Sequence, residues 1–161
     1  MKKEEKKPEE PDDPVIKKLE EMDNKLERIK SDTHSLNRVA CIANSPVIIK
    51  ELWKAIGRSE VRVAILHFTK DEISAGDLVQ ALGIKEENLS MYIKPFLGNK
   101  GFIAELKKGR YKYFQRSEQV DIVGFENEDK FIQLMKSWEA KRTKETKAEA
   151  SAPPREEIDV T

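Results

Sequence analysis

Residues 82–114 read LGIKEENLSMYIKPFLGNKGFIAELKKGRYKYF, and they carry most of the information that decides the fold. Gly83 interrupts an apolar run, and the segment that starts at about Lys85 has a helical period. Its apolar residues on one helical face are Leu89, Ile93 and Phe96. Pro95 removes the hydrogen bond that its amide would make to the Met91 carbonyl, so we expect the helix to kink or end nearby.

Two short segments after this helix alternate between apolar and polar residues, which is the period of a β-strand. They cover residues 102–106 and 111–115. Between them lies the run Lys-Lys-Gly-Arg, in which Gly109 can adopt a positive φ at little cost. The pattern predicts a β-hairpin with the most basic turn of the folded part of the chain.

Further helices are predicted before this stretch. Ser45 is the expected N-cap of VIIKELWKAI, with Pro46 at the first helical position. Ser59 starts EVRVAILHF, and Ser74 with Asp77 three residues later resembles a capping box that opens AGDLVQAL. The predicted order is therefore three helices and a hairpin, with an additional helix at either end.

The two ends of the chain have few large apolar residues. Residues 1–13 and 144–161 cannot bury enough surface to offset the entropy of ordering them, so both are predicted to be disordered tails. A final helix is predicted over residues 126–143, with Asn127 as its cap. These limits leave residues 45–125 as the central domain.

Residues 14–44 carry apolar or small residues at alternating steps of three and four. The resulting a and d positions of a heptad are Val15, Leu19, Met22, Leu26, Ile29, Thr33, Leu36, Ala40 and Ala43. Four heptads favour a coiled coil, and hence a homodimer, through Leu19, Met22, Leu26, Ile29 and Leu36. The alternative is a long amphipathic helix that lies on its own domain.

Composition limits the classes of function. The chain has 161 residues and a formal net charge of zero, from 30 Lys or Arg and 30 Asp or Glu. Its single cysteine excludes an intramolecular disulfide, and no Cys/His cluster has the spacing of zinc ligands. Neither phosphate-loop motif, G-x-x-x-x-G-K-S/T or G-x-G-x-x-G, occurs. Since no nucleophile–base pair is recognisable either, we expect no enzyme activity, no cofactor and no metal.

The sequence also lacks targeting signals. Its N-terminus has no apolar core of a signal peptide, and no segment approaches the roughly 18 apolar residues of a membrane span. We therefore expect a cytoplasmic protein without a membrane partner.

Another set of residues matches the order and spacing of a known family pattern. These residues are Leu82-Gly83-Ile84, Leu89-Ser90, Ile93, Phe96, Gly101-Phe102-Ile103, Gly109-Arg110 and Tyr113-Phe114. They resemble the winged helix-turn-helix domain of ArsR- and MarR-type transcriptional regulators, over about Ser59 to Gln115. The resemblance implies a mainly α fold with a small β-hairpin wing, here preceded by a long coiled-coil helix and followed by a C-terminal helix.

The resemblance also implies a function. In that family the last helix of the motif enters the major groove of duplex DNA and the wing contacts the backbone or the minor groove. Carried over, the recognition-helix contacts are Asn88, Ser90, Met91 and Lys94. The wing contacts are Lys107, Lys108, Arg110 and Lys112. The implied protein is a homodimeric, nucleoid-associated transcriptional regulator that binds double-stranded DNA.

Local charge supports the wing contacts. The segment from Lys85 to Arg116 holds eight Lys or Arg and three Glu, which gives a local charge of +5 in a neutral chain. A surface that neutralises several phosphates gains non-specific affinity for DNA from released counterions. The hairpin is therefore expected to contact the phosphate backbone.

Some residues of the predicted recognition helix depart from the family pattern. Glu86 and Glu87 stand at the start of the predicted recognition helix, where the family has small polar residues, and Met91 stands where arginine is common. Together with the zero net charge, they favour an alternative function: an adaptor whose winged helix docks a protein of a replication, transcription, partition or division assembly. Such a partner could also bind the N-terminal helix or the C-terminal tail.

Overall fold

A computed structural model describes residues 14–150 of the chain. The tail predicted for residues 1–13, and residues 151–161 of the tail predicted at the other end, lie outside the described residues. The described part is mainly helical, with one small antiparallel sheet.

The chain divides into two compact units at Ala40, and helix α1 (Pro14–Ala43) makes up the described part of the first unit. The helix that the heptad pattern predicts is thus confirmed. Its seam residues are each more than half exposed in the single chain: Leu19, Met22, Leu26, Ile29 and Leu36. The pairing of two such seams stays a prediction.

A short break separates α1 from helix α2 (Ser45–Ile56). The prediction that Ser45 is the N-cap of α2 is wrong, because Asn44 holds that position and Ser45 is the first helical residue. The Ser45 hydroxyl donates a hydrogen bond to the Ile42 carbonyl at 2.8 Å. It therefore satisfies a carbonyl at the C-terminal end of α1 and does not cap the amides at the start of α2. Pro46 lies in the first turn of α2, as expected.

Three short helices follow: α3 (Glu60–Phe68), α4 (Ala75–Leu82) and α5 (Glu86–Ile93). The predicted start signals of the first two are confirmed. The Ser59 hydroxyl accepts a hydrogen bond from the Arg62 amide at 3.3 Å, and the Ser74 hydroxyl accepts one from the Asp77 amide at 3.1 Å. These caps satisfy amide groups that have no partner inside the helix.

The end of α5 follows the prediction made from Pro95. The helix stops at Ile93, and a 3₁₀ turn (Lys94–Phe96) continues the chain. Leu89, Ile93 and Phe96 are buried, as the helical period predicts. Their burial holds one side of α5 against the core and leaves the other side accessible.

The hairpin consists of β2 (Ile103–Lys108) and β3 (Tyr111–Arg116). Lys108 pairs with Tyr111, so the turn contains only Gly109 and Arg110. Gly109 has φ of 63°, which suits the first position of a type II′ turn. Lys107 and Lys108, predicted to lie in the turn, are instead the last residues of β2.

The sheet has a third strand, β1 (Ile73–Ser74), which the sequence patterns do not predict. It pairs with β3 through Ile73 opposite Phe114 and Ser74 opposite Tyr113, which gives the order β1-β3-β2. Two residues are too few to show a strand period. The strand joins the hairpin to the start of α4.

The last helix, α7 (Asp129–Ala150), differs from the predicted helix 126–143 at both ends. Asn127, the predicted cap, lies in a 3₁₀ turn before the helix. The disorder predicted from residue 144 is wrong as far as Ala150. This segment is rich in Lys, Glu and Ala, which have high helix propensity. Because it extends a helix that has already formed, it avoids the unfavourable nucleation step.

A short helix, α6 (Glu118–Ile122), leads from the sheet towards α7, and α7 packs on the same core as the earlier helices. The rings of Phe68 and Trp138 lie 5.5 Å apart. Helix α7 thus belongs to the same compact unit as the segment 45–125 that the sequence patterns predict as the central domain. The largest fully buried side chains of this unit include Phe96, Phe125, Leu52, Ile56, Ile65, Leu66 and Leu78.

Candidate nucleic-acid interface

The accessible side of α5 carries the residues predicted to read bases. Ser90, Met91 and Lys94 are exposed, whereas Asn88 is half-buried. Met91 is 56% exposed. Three of the four predicted residues can therefore meet a macromolecular surface directly, and Asn88 can do so only at its edge.

The first turn of α5 is acidic. Glu86 and Glu87 are both exposed there, and Lys85 at the N-cap makes no side-chain capping hydrogen bond. Two carboxylates suit the positive end of the helix dipole, but they would repel a phosphate that approached this end. A polyanion would therefore meet the C-terminal end of α5, where Lys94 begins the 3₁₀ turn that follows the helix.

The hairpin carries three of the four predicted wing cations on its two faces and the fourth in its turn. Lys107 and Lys112 lie opposite each other, on the face that also carries the buried Phe114. Lys108 lies on the other face because neighbouring residues of a strand alternate. Arg110 lies in the turn itself.

Two of these cations have acidic partners. Lys112 Nζ lies 3.1 Å from Glu105 Oε1, and Lys108 Nζ bonds to Glu72 Oε1. Surface pairs of this kind contribute little stability, so a stronger anion can displace the carboxylate. Among the residues described, Lys107 and Arg110 form no salt bridge, which makes them the most available cations of the hairpin.

A groove separates α5 from the hairpin and brings predicted residues of both elements together. We call it the hairpin groove; it has a volume of about 430 Å³. Its polar lining residues are Glu86, Ser90, Lys94, Glu105 and Lys112. Ser90 and Lys94 of the predicted recognition set thus share one groove with Lys112 of the predicted wing set.

A second concave surface meets α5 on its Met91 side, and the sequence patterns do not reveal it. We call it the basic cleft; it has a volume of about 550 Å³. Its charged lining residues are Lys54, Arg62, Lys94 and Lys100. These residues come from four elements and are brought together only by folding. Lys94 borders both the basic cleft and the hairpin groove.

Glu51 is the carboxylate next to the basic cleft. Its two oxygens lie 3.0 Å from Lys54 Nζ and 3.5 Å from Lys100 Nζ. The hydrogen bond from Lys54, aided by the charge of Lys100, lowers the pKa of Glu51. This carboxylate thus joins two of the cations at the surface of the protein.

Arg116 is a cation that the sequence-based charge count assigns wrongly to the surface. Its side chain is only 1% exposed and pairs with Asp121 and Glu126. The local charge available to a ligand is therefore lower than +5. No signal in the sequence distinguishes this buried arginine from the exposed Arg110.

The described residues contain no group of three or more His, Cys, Asp or Glu side chains arranged to hold a metal ion. Within the same residues, no helix is both long and apolar enough to cross a membrane. No protein-family model matches the chain, and a search of curated proteins finds no significant match.

Proposed function

We propose that this chain is a winged-helix protein that binds duplex DNA, as a homodimeric transcriptional regulator. The order α3-β1-α4-α5-β2-β3, with β1 paired to the hairpin, supports a winged-helix domain. In this proposal α5 is the recognition helix and the β2–β3 hairpin is the wing.

The observation that carries the proposal is the shared hairpin groove. Ser90 of α5, Lys94 in the turn after α5 and Lys112 of the hairpin line one surface together with Glu86 and Glu105. Arg110 lies in the turn of the hairpin. A helix that enters the major groove needs polar side chains for base edges and nearby cations for phosphates. Ser90 suits the first role, and the lysines and Arg110 suit the second.

The exposed seam of α1 supports the dimer. A row of large apolar side chains at heptad spacing is expected to pair with a second copy, because water contact with these side chains is unfavourable. Two copies would place two recognition helices on half-sites that are about one helical turn, or a multiple of it, apart.

The first experiment is a titration of fluorescent random-sequence duplex DNA with the full chain at two salt concentrations. We expect binding that weakens as salt rises, because phosphate contacts release counterions. Light scattering on the same sample should give the mass of a dimer. Absence of binding at low salt would contradict the proposal.

A second candidate function is the protein-docking adaptor. The exposed Glu86 and Glu87, and the exposed Met91 that lines the basic cleft, favour a protein partner over a phosphate backbone. A heparin column separates the two functions, since a DNA-binding protein is retained until salt elutes it and an adaptor of this charge passes through.

A further inference from the structure

We propose that the basic cleft is a second phosphate-binding site, which holds the DNA backbone on the side of α5 away from the hairpin. This inference rests on the proposed DNA binding and adds to it the contacts of Lys54, Arg62 and Lys100, which neither the wing nor the recognition helix supplies. The ligand chemistry is the phosphate group, and the source we assign is the backbone of the same duplex.

The charges of the cleft carry the inference. Lys54, Arg62, Lys94 and Lys100 line one concave surface, and none of its lining residues is acidic. Glu51 next to the cleft neutralises only part of this charge. Like charges held together repel one another, and a bound anion relieves this repulsion.

Arg62 is positioned for this role by the protein itself. Its Nη1 donates to the Ala55 carbonyl at 3.2 Å near the end of α2, which orients the guanidinium beside the cleft. Its Nε–H is buried and has no acceptor among the described residues. An arginine oriented in this way can present its remaining donors to a phosphate with little loss of side-chain freedom.

The location of the cleft connects it to the recognition helix. Lys94 lines both the cleft and the hairpin groove, so the two surfaces adjoin at the C-terminal half of α5. A helix in the major groove has a phosphate strand on each side. The hairpin is available to one strand, and the basic cleft is available to the other.

The apolar lining is compatible with a backbone and does not require a base. Ala55, Met91, Pro95 and Leu97 form the uncharged part of the surface. Such a surface can contact deoxyribose while the lysines contact phosphates.

The test compares two double variants of the full chain. Lys54→Gln/Lys100→Gln removes two surface cations whose side chains are 64% and 41% exposed, so the fold should be retained. Lys70→Gln/Lys136→Gln is the matched control, because it removes the same amount of charge near Glu126. Neither residue lines the basic cleft or the hairpin groove. Binding to random-sequence duplex DNA is measured as a function of salt for both variants and the wild type.

We expect the cleft variant to lower the slope of log affinity against log salt by about 1.8, at about 0.9 for each phosphate that the variant no longer neutralises. When salt rises from about 50 to 200 mM, the affinity of the cleft variant should therefore fall by a factor that is about tenfold smaller than the factor for the wild type. The control variant should keep the wild-type slope. An unchanged slope in the cleft variant, while the wild type binds, would overturn this inference and leave the proposed function intact.

If the proposed function is wrong, the experiment gives a different result, because the wild type itself then does not bind DNA. That result would contradict both the proposed function and the backbone contact in the basic cleft. A parallel arm adds inorganic phosphate to isotope-labelled protein and follows the amide signals of Gly98 and Gly101, which flank Lys100. A saturable response that Lys54→Gln/Lys100→Gln abolishes, together with an unchanged DNA slope, would identify a small phosphorylated compound as the ligand and overturn the backbone assignment.

Glu51→Gln gives an outcome that a purely structural role of these salt bridges would not. It removes the carboxylate that competes with phosphate for Lys54 and Lys100, so we expect DNA affinity to rise roughly two- to fivefold. Affinity equal to or below that of the wild type would contradict the inference.

Discussion

Arg116 Nη1 lies 3.0 Å from Glu126 Oε1, and this ion pair joins strand β3 to the 3₁₀ turn before α7. The same guanidinium donates to the Leu66 carbonyl at 2.9 Å and pairs with Asp121. The hairpin proposed to contact DNA is therefore held at its base by one buried cation. The exposed cations at its tip remain available to a ligand.

Substitution of Arg116 should destabilise the second unit. Arg116→Met removes a buried cation, takes the donor from the Leu66 carbonyl, and leaves Glu126 with only His67 and Lys70 as partners. Because both carboxylates of the network are partly exposed, we expect a cost of about 2 kcal/mol in the free energy of unfolding. Urea denaturation followed by circular dichroism measures this loss. Lys108→Met is the control, because its pair with Glu72 is on the surface and should contribute less than about 1 kcal/mol. Equal losses of unfolding free energy in the two variants would show that the Arg116 network stabilises the protein no more than a surface ion pair does.

The same network predicts how stability depends on pH. Burial acts to raise the pKa of Glu126, but the hydrogen bond and charge of Arg116 outweigh burial and lower that pKa below 4.5. A carboxylate whose pKa is lower in the folded state stabilises the protein above its unfolded-state pKa, and this contribution is lost as pH falls through the folded-state value. Melting temperatures measured from neutral pH down to about pH 3 should fall less steeply for Glu126→Gln than for the wild type. Parallel curves would contradict the prediction.

The hairpin tip should contribute affinity that does not depend on DNA sequence. Lys107→Ala/Arg110→Ala removes the two hairpin cations that form no salt bridge within the described part of the chain. We expect weaker binding to all duplexes, with the salt slope reduced by about 0.9 for each phosphate that is left without its cation. Fluorescence anisotropy over a range of salt concentrations measures both effects. Wild-type affinity at every salt concentration would show that the hairpin does not contact DNA.

The seam of α1 should control the oligomeric state without affecting the fold of the second unit. Leu19→Asp/Leu26→Asp places charges at two seam positions, so we expect the mass from light scattering to change from dimer to monomer. DNA affinity should fall as well, because two linked domains bind more tightly than one.

Glu27→Gln, on the same helix but outside the seam, is the control and should remain a dimer. The thermal unfolding of the second unit should be the same in all three proteins, since the seam contributes no residue to its hydrophobic core. A seam variant that is still a dimer would place the contact between copies elsewhere.

Elements with local signals follow from the amino-acid sequence alone. The heptad spacing of α1, the burial of Leu89 and Ile93, and the caps at Ser59 and Ser74 depend on residues only a few positions apart. The hairpin turn follows from Gly109, because a two-residue turn of this type requires a positive φ at that position. Such features can be predicted because each is determined by neighbouring residues and by the steric limits of the backbone.

Elements without a local signal depend on long-range packing. Strand β1 has two residues and exists only because β3 lies beside it. Helix α7 extends beyond residue 143 because its first half is anchored on the core by residues such as Trp138. In both cases tertiary packing supplies the stability that no local pattern indicates.

The candidate interface shows the same division. Its predicted lysines and Arg110 lie on the surface, but only the folded chain shows that Lys108 and Lys112 have acidic partners and that Arg116 is buried. Ion pairs are decided by separations of a few ångströms between residues that are distant in sequence, and no spacing rule encodes those separations. For the same reason the basic cleft, assembled from Lys54, Arg62, Lys94 and Lys100, is a property of the tertiary structure alone.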